Sequence, residues 1–202
     1  MPNSSNNKDS DQTPLPQDLR TGLLRLAEVF EAKQLRYTLI GGVATAYRSR
    51  PRFTRDLDFL VEIPQVVLPG LLDELQARGF SCSAVDTVRA WAHHHMAELS
   101  FHAIRVDWLK PVLPLFQHVI DKAPIENWLG QALHIASAEG LILTKLIAFR
   151  SQDQLDIEGL LAANRGQLDL PWIEQEWQTI ADKQDPRYVK FLEMNAKIMV
   201  SP

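Results

Sequence analysis

Asp56 and Asp58, two carboxylates two residues apart, form the clearest chemical pattern in the chain. They alternate with Leu57 and Phe59, so the segment reads as a strand with both acids on one face and the apolar pair turned to a core. Two hard oxygen donors side by side on a rigid element suit Mg2+. Upstream, Gly41-Gly42 closes a short apolar segment and opens a helical one. Glycines at a strand-to-helix junction let a phosphate approach the backbone N–H groups of the helix start. Thr45, one turn in, adds a hydroxyl to that cradle. A phosphate cradle beside paired carboxylates is the equipment of metal-assisted phosphoryl transfer.

A third carboxylate would complete the group. Asp107 lies in Ile104-Arg105-Val106-Asp107-Trp108. Period-2 alternation sends Ile104, Val106 and Trp108 to one face and Arg105 and Asp107 to the other. If this strand pairs beside 57–62, Asp107 meets Asp56 and Asp58. Three carboxylates around one point repel, and a metal ion relieves that repulsion. The other partner open to Asp107 is Arg105 or a neighbour. Just ahead of the paired acids, Arg48, Arg50, Arg52 and Arg55 crowd into eight positions. They form either a solvated loop or a guanidinium clamp for phosphates or a nucleic-acid backbone. His93-His94-His95 cannot all face one ion from a regular element, so they read as a loop beside an acceptor groove rather than a metal tract.

The elements that must position these residues follow from periodicity and punctuation. Helices are expected over 20–34, 43–48 and within 64–80, and strands over 36–40 and 57–62. Residues 81–97 carry no clear pattern. A single long strand is expected over 99–109, helix then loop over 111–130, and a short strand over 133–136. Ser137 precedes one long helical pattern, 138–163. Asp169 caps a helix opening at Pro171-Trp172, and a last helix runs from near Pro186 to Met199. The sum is an α+β architecture. A small mixed sheet with flanking helices occupies 18–136, and a helical C-terminal third, 137–202, packs on it. The polar, proline-containing stretch 1–17 reads as a disordered tail.

Composition sets the limits. The 202 residues are 46% hydrophobic and 23% charged, enough for one folded domain with a real core. A net charge of -4 excludes a protein that coats nucleic acid by bulk charge and leaves a local basic groove open. The single cysteine, Cys82, excludes an internal disulfide and a cysteine zinc cage, and fits a reducing cytoplasm. No apolar run approaches the ~20 residues of a membrane span, so no membrane role is expected.

The arrangement resembles the nucleotidyltransferase superfamily, with its DNA polymerase β-like fold. The signature is a hydrophobic residue, Gly-Gly or Gly-Ser, a spacer, then Asp-hydrophobic-Asp. Here Ile40-Gly41-Gly42 is followed by thirteen residues and then Asp56-Leu57-Asp58. Within the superfamily the chain looks most like the AbiEii/AbiGii toxin nucleotidyltransferases. The features that point there are Arg52-x-Thr54-x-Asp56-x-Asp58, the strand Val106-Asp107-Trp108, and the segment 135–156. That segment carries Ser137, Glu139, Lys145, Arg150, Asp153 and Asp156, with Ala138 and Gly140 standing where the family has Pro and Asp.

The resemblance implies an NTP substrate and Mg2+, with Mn2+ as the alternative, held by Asp56, Asp58 and Asp107. Asp107 is also the candidate general base. Gly41, Gly42, Thr45, Arg52, Thr54, Lys145 and Asp156 are the implied nucleotide-binding set, with Lys145 on the triphosphate and Asp156 holding the site. On one continuous helix Lys145, Asp153 and Asp156 would share a broad face. The implied role is the toxin of a toxin–antitoxin or abortive-infection pair, acting in the cytoplasm on tRNA or another RNA and paired with an antitoxin protein. A small-molecule nucleotidylyltransferase of the aminoglycoside-modifying kind is the alternative, and it requires a deep acidic pocket. A non-catalytic nucleotide- or protein-binding domain is a third, and it would be favoured by an Asp107 remote from Asp56.

Overall fold

A computed structural model describes residues 15–200 of the chain. The tail read over 1–17 therefore lies, for residues 1–14, outside the described residues. In chain order the elements are α1 (Gln17–Ala32), β1 (Tyr37–Ile40), α2 (Gly41–Arg48), β2 (Asp56–Val61), α3 (Leu68–Ala77), β3 (Phe80–Ser81), α4 (Ala84–His93), β4 (Met96–Phe101) and β5 (Ile104–Leu109). They continue as α5 (Pro114–Asp121), β6 (Ile125–Trp128), β7 (Gln131–His134), α6 (Ala138–Ala148), α7 (Ser151–Ala163), α8 (Leu170–Gln178) and α9 (Pro186–Val200). Among the described residues no helix is long and apolar enough to cross a membrane.

Five strands form one mixed sheet in the order β1-β2-β5-β4-β3. Strands β2 and β5 are parallel, and every other pair is antiparallel. Alternation divides the two central strands cleanly. Leu57, Phe59, Val106 and Trp108 are fully buried and face α1, whose Leu19, Leu23, Leu26, Ala27 and Phe30 form one helical stripe. The Phe30 ring lies 5.6 Å from Phe59 and 5.7 Å from Trp108, the aromatic centre of the core. Burying each such ring contributes about 1.5–3 kcal/mol. With one face so filled, Asp56, Asp58, Arg105 and Asp107 are left on the other.

The expected long strand over 99–109 is two strands. His102 takes a left-handed φ of 52° and reverses the chain between β4 and β5. No glycine or proline marks this turn, so the apolar pattern runs through it unbroken. The reversal has a consequence for the site, because it lays β5 between β4 and β2. The unassigned stretch 81–97 runs from the end of the short edge strand β3 through α4 to the start of β4. Ser83 caps α4 by accepting the Asp86 N–H, and the Trp91 indole N–H donates to the Ile63 carbonyl at 3.3 Å.

The expected long helix over 138–163 is also broken. Phe149 sits at φ 48°, ψ 32°, a left-handed conformation rare for a bulky residue. It ends α6, and α7 folds back against it. The start of α6 is as expected: Ser137 Oγ accepts the Gly140 N–H at 3.1 Å. Residues 111–130 resolve into α5 and the first strand of a small hairpin. Leu129 and Gly130, both at positive φ, join β6 to β7. That hairpin docks on β1 through the Ala136 N–H, which donates to the Leu39 carbonyl at 3.0 Å. Helices α8 and α9 pack on α6 and α7, so the helical third closes the polar side of the sheet.

Candidate active site

The parallel register of β2 and β5 builds the acidic cluster. Asp58 is the Cα partner of Asp107, and Asp56 is the partner of Arg105. Side chains of such partners project from the same face. Asp58 is the most enclosed of the three acids. Burial, then the charges of Asp107 and Asp56, push its carboxyl up to about 6, while the Gly42 N–H and the Lys145 charge pull the other way. Asp107 is raised as well, first by burial and then by Glu98 and Asp56, against the lowering effect of Arg105.

Two glycines allow this crowding. Gly41 stands at φ 65°, where L side chains are strained, and a β-carbon there would lie 1.9 Å from Asp58 Oδ2. A β-carbon on Gly42 would lie 2.6 Å from Thr54 Oγ1 and 2.9 Å from Arg52 Nη2. The start of α2 thus touches Asp58 on one side and the Arg52–Thr54 segment on the other. Free N–H groups at a helix start attract an anion, and Asp58 already uses the one on Gly42.

Cations supplied by the helical third face the acids. Lys145, only 5% exposed, places Nζ 2.6 Å from Asp156 Oδ2 and 3.6 Å from Asp153 Oδ1. Asp156 also accepts from Arg52 Nη2 at 2.9 Å and from Gln152 Nε2 at 3.1 Å. Asp153 accepts from the Arg150 backbone N–H at 3.0 Å and from Arg150 Nε at 2.8 Å. Burial opposes ionisation of Asp153, but these bonds and the Lys145 charge hold it below the usual carboxylate range. A continuous helix is not needed for this meeting. The break at Phe149 lets α7 return both acids to Lys145.

These groups line one cavity of about 590 Å3. Gly41, Gly42, Arg52, Thr54, Asp56, Asp58, Asp107, Lys145 and Asp156 all border it. Thr45 does not. Its side chain is buried, and its hydroxyl donates to the Gly41 carbonyl at 2.7 Å inside α2, so it braces the glycine turn instead of reaching a ligand. The arginine group also divides. Arg48 bonds Glu126 at 2.5 Å and the Ile135 and Ala136 carbonyls, which ties α2 to the β6–β7 hairpin. Arg50 and Arg55 are exposed, with Arg55 over the Phe53 ring. Only Arg52 of the four enters the cavity. His93, His94 and His95 are exposed outside it, where they end α4.

Sequence reasoning did not assign a site role to Arg105. Its Nη2 lies 3.4 Å from Asp56 Oδ2 and 3.1 Å from Asp107 Oδ2. The signal was the same period-2 alternation that placed Asp107, since Arg105 is two residues earlier on the same face. Among the described residues no three His, Cys, Asp or Glu side chains are closed up as a ready metal cage. Two of the three carboxylates lie on Arg105 instead. The donor set nevertheless fits a hard divalent cation: three carboxylates on adjacent strands, with the Asp58 carboxyl pushed up by burial and then by the charges of Asp107 and Asp56.

No family model and no curated protein matches the chain. Solved structures do resemble it in shape. An antigenic nucleotidyltransferase-like protein from Paracoccidioides brasiliensis aligns at 14% identity and TM-score 0.49, over 89% of this chain and 95% of that one. The antibiotic-resistance factor ANT(2'')-Ia aligns at 12% identity and TM-score 0.43, over 89% and 90%. A tRNA nucleotidyltransferase solved with a primer tRNA and an ATP analogue aligns at 16% identity and TM-score 0.34, over 87% of this chain and 60% of that one. All three TM-scores lie below 0.5, a likeness that by itself carries no functional inference.

Proposed function

We propose that this chain is a metal-dependent nucleotidyltransferase that moves an NMP from an NTP to an acceptor hydroxyl. The observation that carries the reading is the β2–β5 register, which lines up Asp58 with Asp107 on one face beside the Gly41-Gly42 start of α2. A purely binding domain has no need to crowd three carboxylates, and the Asp58–Asp107 register speaks against the remote Asp107 that would favour that reading.

Each residue then has a task. Asp56, Asp58 and Asp107 would hold Mg2+ or Mn2+, which when bound neutralises phosphate charge and makes the acceptor hydroxyl more acidic. Asp107 takes the hydroxyl proton as the acceptor oxygen bonds to the α-phosphorus. The bond from that phosphorus to the bridging oxygen breaks, and pyrophosphate leaves. Lys145 and Arg52 border the same cavity and offset the charge of the triphosphate and the leaving group. Asp156 holds both cations in place. Gly41 and Gly42 let Asp58 and the Arg52–Thr54 segment close on the α2 start.

For the acceptor we propose RNA, tRNA first, in the cytoplasm, with the chain as the toxin partnered by an antitoxin protein. The support is the resemblance of segments 40–58, 104–108 and 135–156 to the AbiEii/AbiGii toxins. A small-molecule acceptor is the second reading. It is favoured by the loss of Arg48 from the proposed clamp and by the cavity's five carboxylates against four cations. Incubation with each α-labelled NTP, Mg2+ and total RNA tests this, with Asp56→Ala as the control. Label in RNA from wild type alone supports the first reading. Label confined to a small-molecule fraction supports the second, and equal labelling by both proteins defeats the mechanism.

A further inference from the structure

Arg105 holds the acidic cluster in a form that competes with metal. It is the register partner of Asp56 and lies on the same strand face as Asp107. Its guanidinium bridges the two, at 3.4 Å and 3.1 Å, so one positive charge already lies between two of the three carboxylates. Those are the groups that a divalent cation would also have to engage. A guanidinium presents donors in a fan and matches carboxylate and phosphate oxygens equally well. The side chain is 51% exposed, so nothing packs it permanently onto the acids. It also borders the cavity that holds Lys145 and Arg52.

We infer that Arg105 is a resident counter-ion: it occupies Asp56 and Asp107 until a divalent cation displaces it, and then becomes a phosphate ligand for the incoming nucleotide. The inference rests on the nucleotidyltransferase reading and deepens it. Displacement frees a cation at the mouth of the cavity just as the acids are neutralised. Metal and nucleotide therefore favour one another's binding, which is a coupling free energy between two sites. Without metal, the same ion pair limits mutual repulsion among the three carboxylates.

The test measures Mn2+ affinity by electron paramagnetic resonance, without nucleotide, for wild type, Arg105→Gln, Arg105→Lys and Arg150→Gln. It then measures the affinity of the α,β-methylene analogues of ATP, GTP, CTP and UTP at saturating Mn2+. Arg105→Gln is expected to bind Mn2+ about three- to tenfold more tightly, the size of two partly exposed ion pairs. Its affinity for the analogue that wild type prefers is expected to fall about as much. Arg105→Lys keeps the charge and should stay near wild type in Mn2+ affinity. Arg150 also borders the cavity but pairs with Asp153, so Arg150→Gln controls for the general field. Unchanged or weaker Mn2+ binding by Arg105→Gln would overturn the inference, as would an equal gain in Arg150→Gln. Mn2+ binding by no variant, with or without an analogue, would overturn the proposed function itself.

Discussion

Gly41 lies against Asp58 so closely that no other residue type fits between them: a β-carbon would stand 1.9 Å from Asp58 Oδ2. Its φ of 65° adds a second penalty, about 1–2 kcal/mol for an L side chain. Gly41→Ala should therefore displace Asp58, lower Tm, and reduce kcat/KM by about a hundredfold or more. Gly42→Ala meets the Thr54 hydroxyl and β-carbon and the end of the Arg52 side chain, without a positive φ, and should cost less on both counts. Thermal melts and turnover of the two variants side by side check this. Equal losses would contradict the account of Gly41.

The raised carboxyl of Asp58 predicts a stability that depends on pH in a stated direction. In the folded, metal-free protein it keeps its proton up to about 6, whereas an unfolded aspartate loses it near 3.8. Between those values the folded state binds more protons, so this contribution to stability is present at low pH and lost as pH rises from about 4 to 6. Asp58→Asn removes the loss. In chelator its unfolding free energy should match wild type near pH 4 and exceed it at pH 7.5 by about 3 kcal/mol. Added Mg2+ should stabilise wild type more at pH 7.5 than at pH 5.

Asp156 and Lys145 should behave unequally. Asp156→Ala removes the carboxylate shared by two cations and leaves Lys145 buried with Asp153 alone, 3.6 Å away. A buried charge stripped of its closer partner costs about 3–5 kcal/mol. Lys145→Met leaves Asp156 its bonds to Arg52 and Gln152 and should destabilise less. The same Lys145→Met protein should lose nearly all nucleotide transfer. Denaturant melts together with KM and kcat separate the two effects. A Lys145→Met protein with normal turnover would remove that residue from the site.

Arg48 and Arg52 are four residues apart and predict opposite phenotypes. Arg48→Ala should lower stability by about 1–3 kcal/mol, because it removes the guanidinium donor from the Ile135 and Ala136 carbonyls and leaves Glu126 only its bond from the Tyr47 hydroxyl. Its kcat per folded molecule should be near wild type. Arg52→Ala should weaken NTP binding. Active-site titration before the kinetic comparison distinguishes a folded fraction from a damaged site.

Much of this site was legible because short-range rules sufficed. Period-2 alternation set Asp56 with Asp58 and Asp107 with Arg105, and the glycine pair marked the strand-to-helix turn. What was not legible depended on backbone reversals without the usual residues. His102 and Phe149 take left-handed conformations that no glycine announced, so one strand was two and one helix was two. The convergence of Lys145 with Asp156 was inferred on a continuous helix, whereas the chain achieves it by folding α7 back. The partners of Thr45 and Arg48 were not legible, for a common reason. Composition suggests a reactive side chain, but the hydrogen bonds to the Gly41, Ile135 and Ala136 carbonyls that occupy them come from tertiary packing.

The central claim is transfer of a nucleotidyl group through the Asp56–Asp58–Asp107 cluster. Parallel reactions with NTP labelled at the α-phosphate and at the γ-phosphate test it most directly. The account predicts that the α-label passes to the acceptor and the γ-label appears in pyrophosphate, in equal amounts, with both lost in Asp58→Asn. Passage of the γ-label to the acceptor, or release of labelled inorganic phosphate with NDP left behind, would contradict it.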